Sequence, residues 1–199
     1  MTKIFEENHF YHYDVIIVAK DTYLRTMNTS APHPRASSGT KKTPALPREY
    51  LAFRLGAEQY GIDILRVQEI RSYEQPTRLA HAPDFIKGVI DLRGRIVPIV
   101  DLRMKLQYAE VAYNECTVVI ILDMGISTVV GAVVDSVADV VSLASGQIKP
   151  PPQFGTLECV DPAFVQGIAH MDDRMLILMD ITALLNHDGI DWADTAAAA

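Results

Sequence analysis

The chain has 199 residues, 49% of them hydrophobic and 22% charged, with a net charge of −7, which suits one globular domain or one domain with a tail. The charge is uneven: 7 Lys/Arg stand against 4 Asp/Glu up to residue 48, and 11 against 21 from residue 49 onward. An acidic body argues against binding nucleic acid or anionic lipid, and no apolar run nears the ~18 residues of a membrane helix.

The opening residues, Met1-Thr2-Lys3-Ile4-Phe5-Glu6-Glu7, lack the apolar core of a signal peptide. Residues 1–26 still hold Phe5, Phe10, Tyr11, Tyr13 and the run Val15–Val18, enough for a strand or short helix. Residues 27–48, MNTSAPHPRASSGTKKTPALPR, have no aromatic and no β-branched aliphatic residue. Such a segment cannot bury enough apolar surface to offset its ordering entropy, so it is expected to be disordered. The abrupt change at Met27 raises the expectation that translation starts there, which intact mass of the native product tests. Residues 1–48 are thus an extension, 49–187 the folded domain, and 188–199 a tail frayed at least over Asp194–Ala199.

From residue 49 the pattern is mostly β. Tyr50–Leu55 alternates, Gly56-Ala57-Glu58-Gln59 marks a turn, and Tyr60–Ile64 continues as a strand, with Val67–Tyr73 next. A helical turn is expected at Pro83-Asp84-Phe85. Gly88–Arg93 and Arg95–Leu102 flank Gly94 as a hairpin, in which Pro98 implies an edge, a bulge or a bend. Thr117–Leu122 and Thr128–Val134 flank Gly125, and Ala138–Leu143 follows. Val165–His170 and Arg174–Met179 then flank a turn at Met171-Asp172-Asp173. Many short strands at this spacing suggest barrels or a sandwich. A terminal helix is capped by Asp180 and presents Ile181, Leu184 and Leu185 on one stripe.

Little in the sequence carries catalysis. The histidines His9, His12, His33, His81, His170 and His187 are isolated and lack ligand spacing. Cys116 and Cys159 fit no metal or redox motif, which favours a reducing, intracellular setting, and Cys116 reads as core packing. Asp135 and Asp139 read as a solvated strand face rather than a catalytic pair. No phosphate-binding glycine loop or nucleophile elbow is present, so no cofactor, metal or enzymatic activity is expected. The densest feature is Gly88–Arg103, where Arg93 projects near the hairpin tip. Arginine combines five donors with an apolar stem, which suits recognition, although a solvated turn arginine is the plainer reading.

Residues 88–103, GVIDLRGRIVPIVDLR, closely resemble the signature of the CheW coupling-protein family. The resemblance extends through residues 50–88, VVGAVVDSVADVVSL (129–143), GQIKPPPQF (146–154) and DRMLILMDITALLN (173–186). It implies two small five-stranded SH3-like β-barrel subdomains with a shared apolar interface and a short C-terminal helix. The same domain occurs at the C-terminus of the kinase CheA and, fused to a receiver domain, in CheV; this chain has no room for a kinase core and shows no receiver-like acidic pocket, so a stand-alone member is expected. The resemblance implies a non-catalytic adaptor of bacterial chemotaxis. Its partners would be the cytoplasmic tips of methyl-accepting chemotaxis receptors and the regulatory domain of the histidine kinase CheA. It would be cytoplasmic and recruited to membrane-bound receptor clusters. A pilus-type or other non-flagellar chemosensory system is the alternative.

Carried over by motif, Arg93 resembles the family's receptor-binding arginine, and Val67 and Glu69 its receptor-contact positions. Gly88, Val118 and Val140 resemble positions in or near the receptor groove, although on the residues alone Val67, Val118 and Val140 read as core packing and Glu69 as a solvated strand face. Kinase-contact residues are not indicated. Where the family usually has Asn, this chain has Asp91, which can accept but not donate a hydrogen bond and could attract Arg93.

Overall fold

The structure is a computed structural model; residues 46–125, 128–151, 160–171, 174–190 and 192 are described. The tail up to residue 45, the Asp172-Asp173 turn, Cys159 and residues 193–199 lie outside them. Among the described residues eleven strands run β1 (Arg48–Leu55), β2 (Glu58–Asp63), β3 (Val67–Ser72), β4 (Ile86–Leu92), β5 (Arg95–Asp101), β6 (Val118–Gly125), β7 (Thr128–Val134), β8 (Ser136–Leu143), β9 (Ile148–Lys149), β10 (Val165–Met171) and β11 (Arg174–Met179). Short helices occupy Leu102–Lys105 and Ile181–Asn186.

The strands form two sheets. The first has the order β8-β1-β2-β11-β10-β9 and the second β3-β6-β7-β5-β4. Pairing is antiparallel except for β2 with β11 and β5 with β7. The expected five strands hold for the second sheet, and the two-residue β9 makes six in the first. The second sheet curls back on itself, because Thr77, just beyond β3, bridges Val89 of β4. The second sheet is one contiguous stretch inserted between two parts of the first. The chain crosses between sheets at the 3-10 turn Ile64–Arg66 and returns at Asp135, the one residue between β7 and β8.

Alternation explains how both faces of these strands are buried. On β6, Val118, Ile120 and Leu122 enter a central core shared by the sheets, while Val119 and Ile121 enter an inner core of the second sheet. On β1, Leu51, Phe53 and Leu55 face the central core, while Tyr50 and Ala52 join an inner core of the first sheet. Period-two side-chain placement makes each of these two strands serve two cores. The inner cores are tight: a Cβ on Gly131 would lie 2.5 Å from Ile99 Cδ1.

Pro98 is neither at an edge nor in a bulge. It pairs with Val89, whose backbone N–H and C=O are both engaged by Thr77 at 2.8 and 2.9 Å, so β4 asks no hydrogen bond of Pro98. On its other side, pairing with β7 begins one residue later, at Ile99. The chain at Pro83 forms a turn rather than a helix, closed by Ile86 N–H donating to Pro83 C=O at 2.8 Å. The strand expected to end at Leu102 stops at Asp101, whose carboxylate accepts from Arg103 N–H and caps a helical turn. Asp180 caps the terminal helix as expected, accepting from Ala183 N–H. Trp192 packs into the central core and donates to Asn186 Oδ1 at 3.1 Å. Cys116 is exposed, not core, because strand β6 begins after it.

Candidate functional site

The β4–β5 hairpin turns through two residues, Arg93 (φ 55°) and Gly94 (φ 82°), between the paired residues Leu92 and Arg95. Left-handed φ at both positions is the type I′ geometry that matches strand twist. Gly94 adopts it freely; for Arg93 it is a less populated conformation, tolerated at functional positions. Asp91 secures the turn by accepting from Gly94 N–H at 2.7 Å.

Arg93 therefore stands at an exposed apex, its side chain 82% accessible. Its guanidinium donates to Glu69 Oε2 of β3 at 2.7 Å, and Arg71 approaches the other Glu69 oxygen at 4.0 Å. The electrostatic partner of Arg93 is thus Glu69, not Asp91, whose carboxylate is occupied in the turn. Ile96, 37% exposed and paired with Asp91, adds an apolar element beside the apex.

The remaining expected site residues are placed differently. Val67 is fully buried and Val118 is buried, both in the central core. A register shift between Val67 and Glu69 lets the first face inward while the second reaches Arg93. Gly88 is buried with φ 135°, and a Cβ there would lie 2.0 Å from the Thr77 carbonyl oxygen. Its glycine identity follows from that close approach. Val140, on β8 of the first sheet, is half-buried and packs against the central core. The structure brings Arg93 and Glu69 into contact; Val67, Gly88 and Val118 support the strands that carry them.

A second polar cluster was not legible as such in the sequence. Arg103, 1% exposed, is held by Asp101 through Nε (3.0 Å) and Nη2 (2.7 Å), and its Nη1 donates to Ala112 C=O (2.6 Å) and Asp135 Oδ1 (2.7 Å). Tyr113 donates to Asp101 Oδ2 at 2.7 Å, and its ring lies 4.8 Å from the guanidinium. Burial works against the Arg103 charge, but the bonds to Asp101 and Asp135 outweigh it and hold the group above its ordinary range. Burial, then the bond to Asp101, pushes the Tyr113 phenol up. Asp135 is consequently not a plain solvated residue. The only sequence signal was its position at the end of a strand and an Arg two residues after Asp101. No group of three or more His, Cys, Asp or Glu that could hold a metal occurs among the described residues. No helix among them is long and apolar enough to cross a membrane.

Comparison with known proteins places this geometry in context. The family described as CheW-like domain matches residues 49–189. A chemotaxis protein CheW of Klebsiella aerogenes is 51% identical over 150 residues, covering 75% of this chain and 89% of that protein. A chemotaxis protein CheW of Bacillus subtilis is 30% identical over 138 residues, covering 69% of this chain and 86% of the relative. The crystal structure of the scaffolding protein TtCheW from Thermoanaerobacter tengcongensis superposes with a TM-score of 0.65 at 30% identity, covering 80% of this chain and 99% of that one.

Proposed function

The chain belongs to the CheW-like domain family and is a non-catalytic scaffold of bacterial chemotaxis, and from that premise we propose how it couples its partners. The hairpin apex carrying Arg93 binds the cytoplasmic tip of a methyl-accepting receptor, and a separate surface binds the regulatory domain of CheA. The protein works in the cytoplasm and is recruited to membrane-bound receptor clusters. A receptor tip built of helices would lay an apolar stripe beside Ile96 and present polar groups to the apex.

The observation that carries this reading is an arginine held at an exposed, left-handed turn by a cross-strand carboxylate. Exposed ion pairs of this kind contribute only about 0–1 kcal/mol to stability, so the arrangement is better explained by recognition than by folding. Glu69 pre-orders the guanidinium and lowers the entropy lost when it meets a partner. Val140 completes the receptor-contact set, with Val67, Gly88 and Val118 shaping it from beneath. The chemotaxis names of the relatives favour this system over a pilus-type one.

The test is to bind the full chain, with and without Arg93→Ala, to a receptor-tip fragment and to the CheA regulatory domain in separate titrations. Arg93→Ala is expected to weaken receptor binding by about 2 kcal/mol and to leave kinase binding unchanged. Unchanged receptor affinity in a folded variant removes Arg93 from the site.

A further inference from the structure

Asp135 lies where the chain returns from the second sheet to the first, and its carboxylate binds both. Oδ2 accepts from Gly56 N–H, in the β1–β2 turn of the first sheet, at 2.7 Å. Oδ1 accepts from Arg103, in the helix that follows β5 of the second sheet, at 2.7 Å. The Asp135 amide also donates to Arg54 C=O of β1 at 3.1 Å. We propose that Asp135 is a latch at this crossing, and that its carboxylate sets the angle between the two sheets and can let go of Arg103 without unfolding the protein.

The two carboxylates on Arg103 differ in a way that permits release. Asp101 is fully buried and grips the guanidinium through both oxygens, whereas the Asp135 side chain is 33% exposed and makes one contact with it. An Arg103 that loses Asp135 keeps the bidentate pair, the Ala112 carbonyl and the Tyr113 ring, so no buried charge is stranded. Asp135, being exposed, can pass its free oxygen to water. A second tie crosses nearby: the Tyr108 and Tyr60 hydroxyls lie 2.8 Å apart, and Tyr108 also donates to Glu58 at 3.2 Å. This tie keeps the segment after Leu102–Lys105 against the β1–β2 hairpin when the latch opens. The opening is therefore a change of angle and not a separation. The latch follows from the fold alone and does not depend on which partners the protein binds.

The experiment uses the full chain with Cys116→Ser and Cys159→Ser and spin labels on Gln68→Cys in β3 and Ala138→Cys in β8, both exposed. The distance distribution between labels is measured with and without Asp135→Asn. Asparagine can still accept from Gly56 N–H, but its amide then faces Arg103 with donor against donor. The expected result is one narrow distance in the parent, and a broadened or two-peaked distribution in Asp135→Asn that still unfolds cooperatively. A narrow, unmoved distribution in folded Asp135→Asn overturns the latch. So does a variant that fails to fold, because the carboxylate would then be a requirement of folding and not of orientation. Asp135→Glu, which keeps the charge but lengthens the arm, is expected to hold one narrow distance at a shifted mean.

Discussion

Arg93 and Arg103 stand ten positions apart in the signature segment and do opposite work. Arg93 is accessible and tied by one carboxylate, so its replacement is expected to change binding rather than stability. Arg103 is buried among two carboxylates and a carbonyl, so its loss strands Asp101 in the interior. Arg103→Met is expected to cost about 3–5 kcal/mol in urea unfolding, and Arg103→Lys to recover little of that, because an ammonium cannot reproduce the fork. A loss below ~1 kcal/mol would show that the cluster is not supporting the fold. Two phenols, Tyr113 beside Arg103 and Tyr60 beside Glu58, set an alkaline limit. Burial first, with the bond to Asp101, raises Tyr113, and burial with the bond to Glu58 raises Tyr60. A raised folded value means that their stabilisation is complete below the ordinary phenol value of ~10 and is lost as pH rises through the folded one. Thermal midpoints should therefore fall above about pH 10 in the parent, and fall less steeply in Tyr113→Phe.

Among the elements, the β4–β5 hairpin was the most legible, because its turn chemistry is local. The glycine and the flanking apolar runs sit within one short segment and point to the turn observed, whereas Pro98 suggested an edge or bulge that is not there. What Asp91 does was not legible, since its options were a turn cap or a partner for Arg93, and only coordinates separate them. It is a cap that accepts one backbone N–H. Asparagine can accept the same bond, so Asp91→Asn is expected to change stability by less than about 0.5 kcal/mol in denaturant unfolding. A larger loss would mean that the negative charge itself holds the turn. Gly88, by contrast, depends on a contact eleven residues away. With φ 135° and the Thr77 carbonyl in the place of a side chain, Gly88→Ala should destabilise by more than about 2 kcal/mol. The sequence pointed to Gly88 only by family resemblance, because a carbonyl's approach leaves no mark in local pattern.

For the molecule as a whole, the mostly β character was readable from short alternating strands, which suit barrels or a sandwich, while the division into two units came from the family resemblance. The crossings were not readable. Nothing local marks Ile64–Arg66 or Asp135 as the points where the chain changes sheet, and the strand ends there look like ordinary turns. Val67 and Val118 read from the residues alone as core packing, and both are buried; only the family resemblance had set them at a receptor groove. The molecule that results has a core shared by two sheets and a basic apex on an otherwise acidic body. Such a body suits an adaptor, which must present two surfaces at once. The most direct test immobilises a receptor-tip fragment and measures the CheA regulatory domain retained with the full chain, with the Arg93→Glu chain, and with no chain. Retention above the chain-free control is expected with the parent, and loss of that excess with Arg93→Glu while the variant still binds the kinase domain in solution. Retention by Arg93→Glu equal to the parent would contradict that expectation.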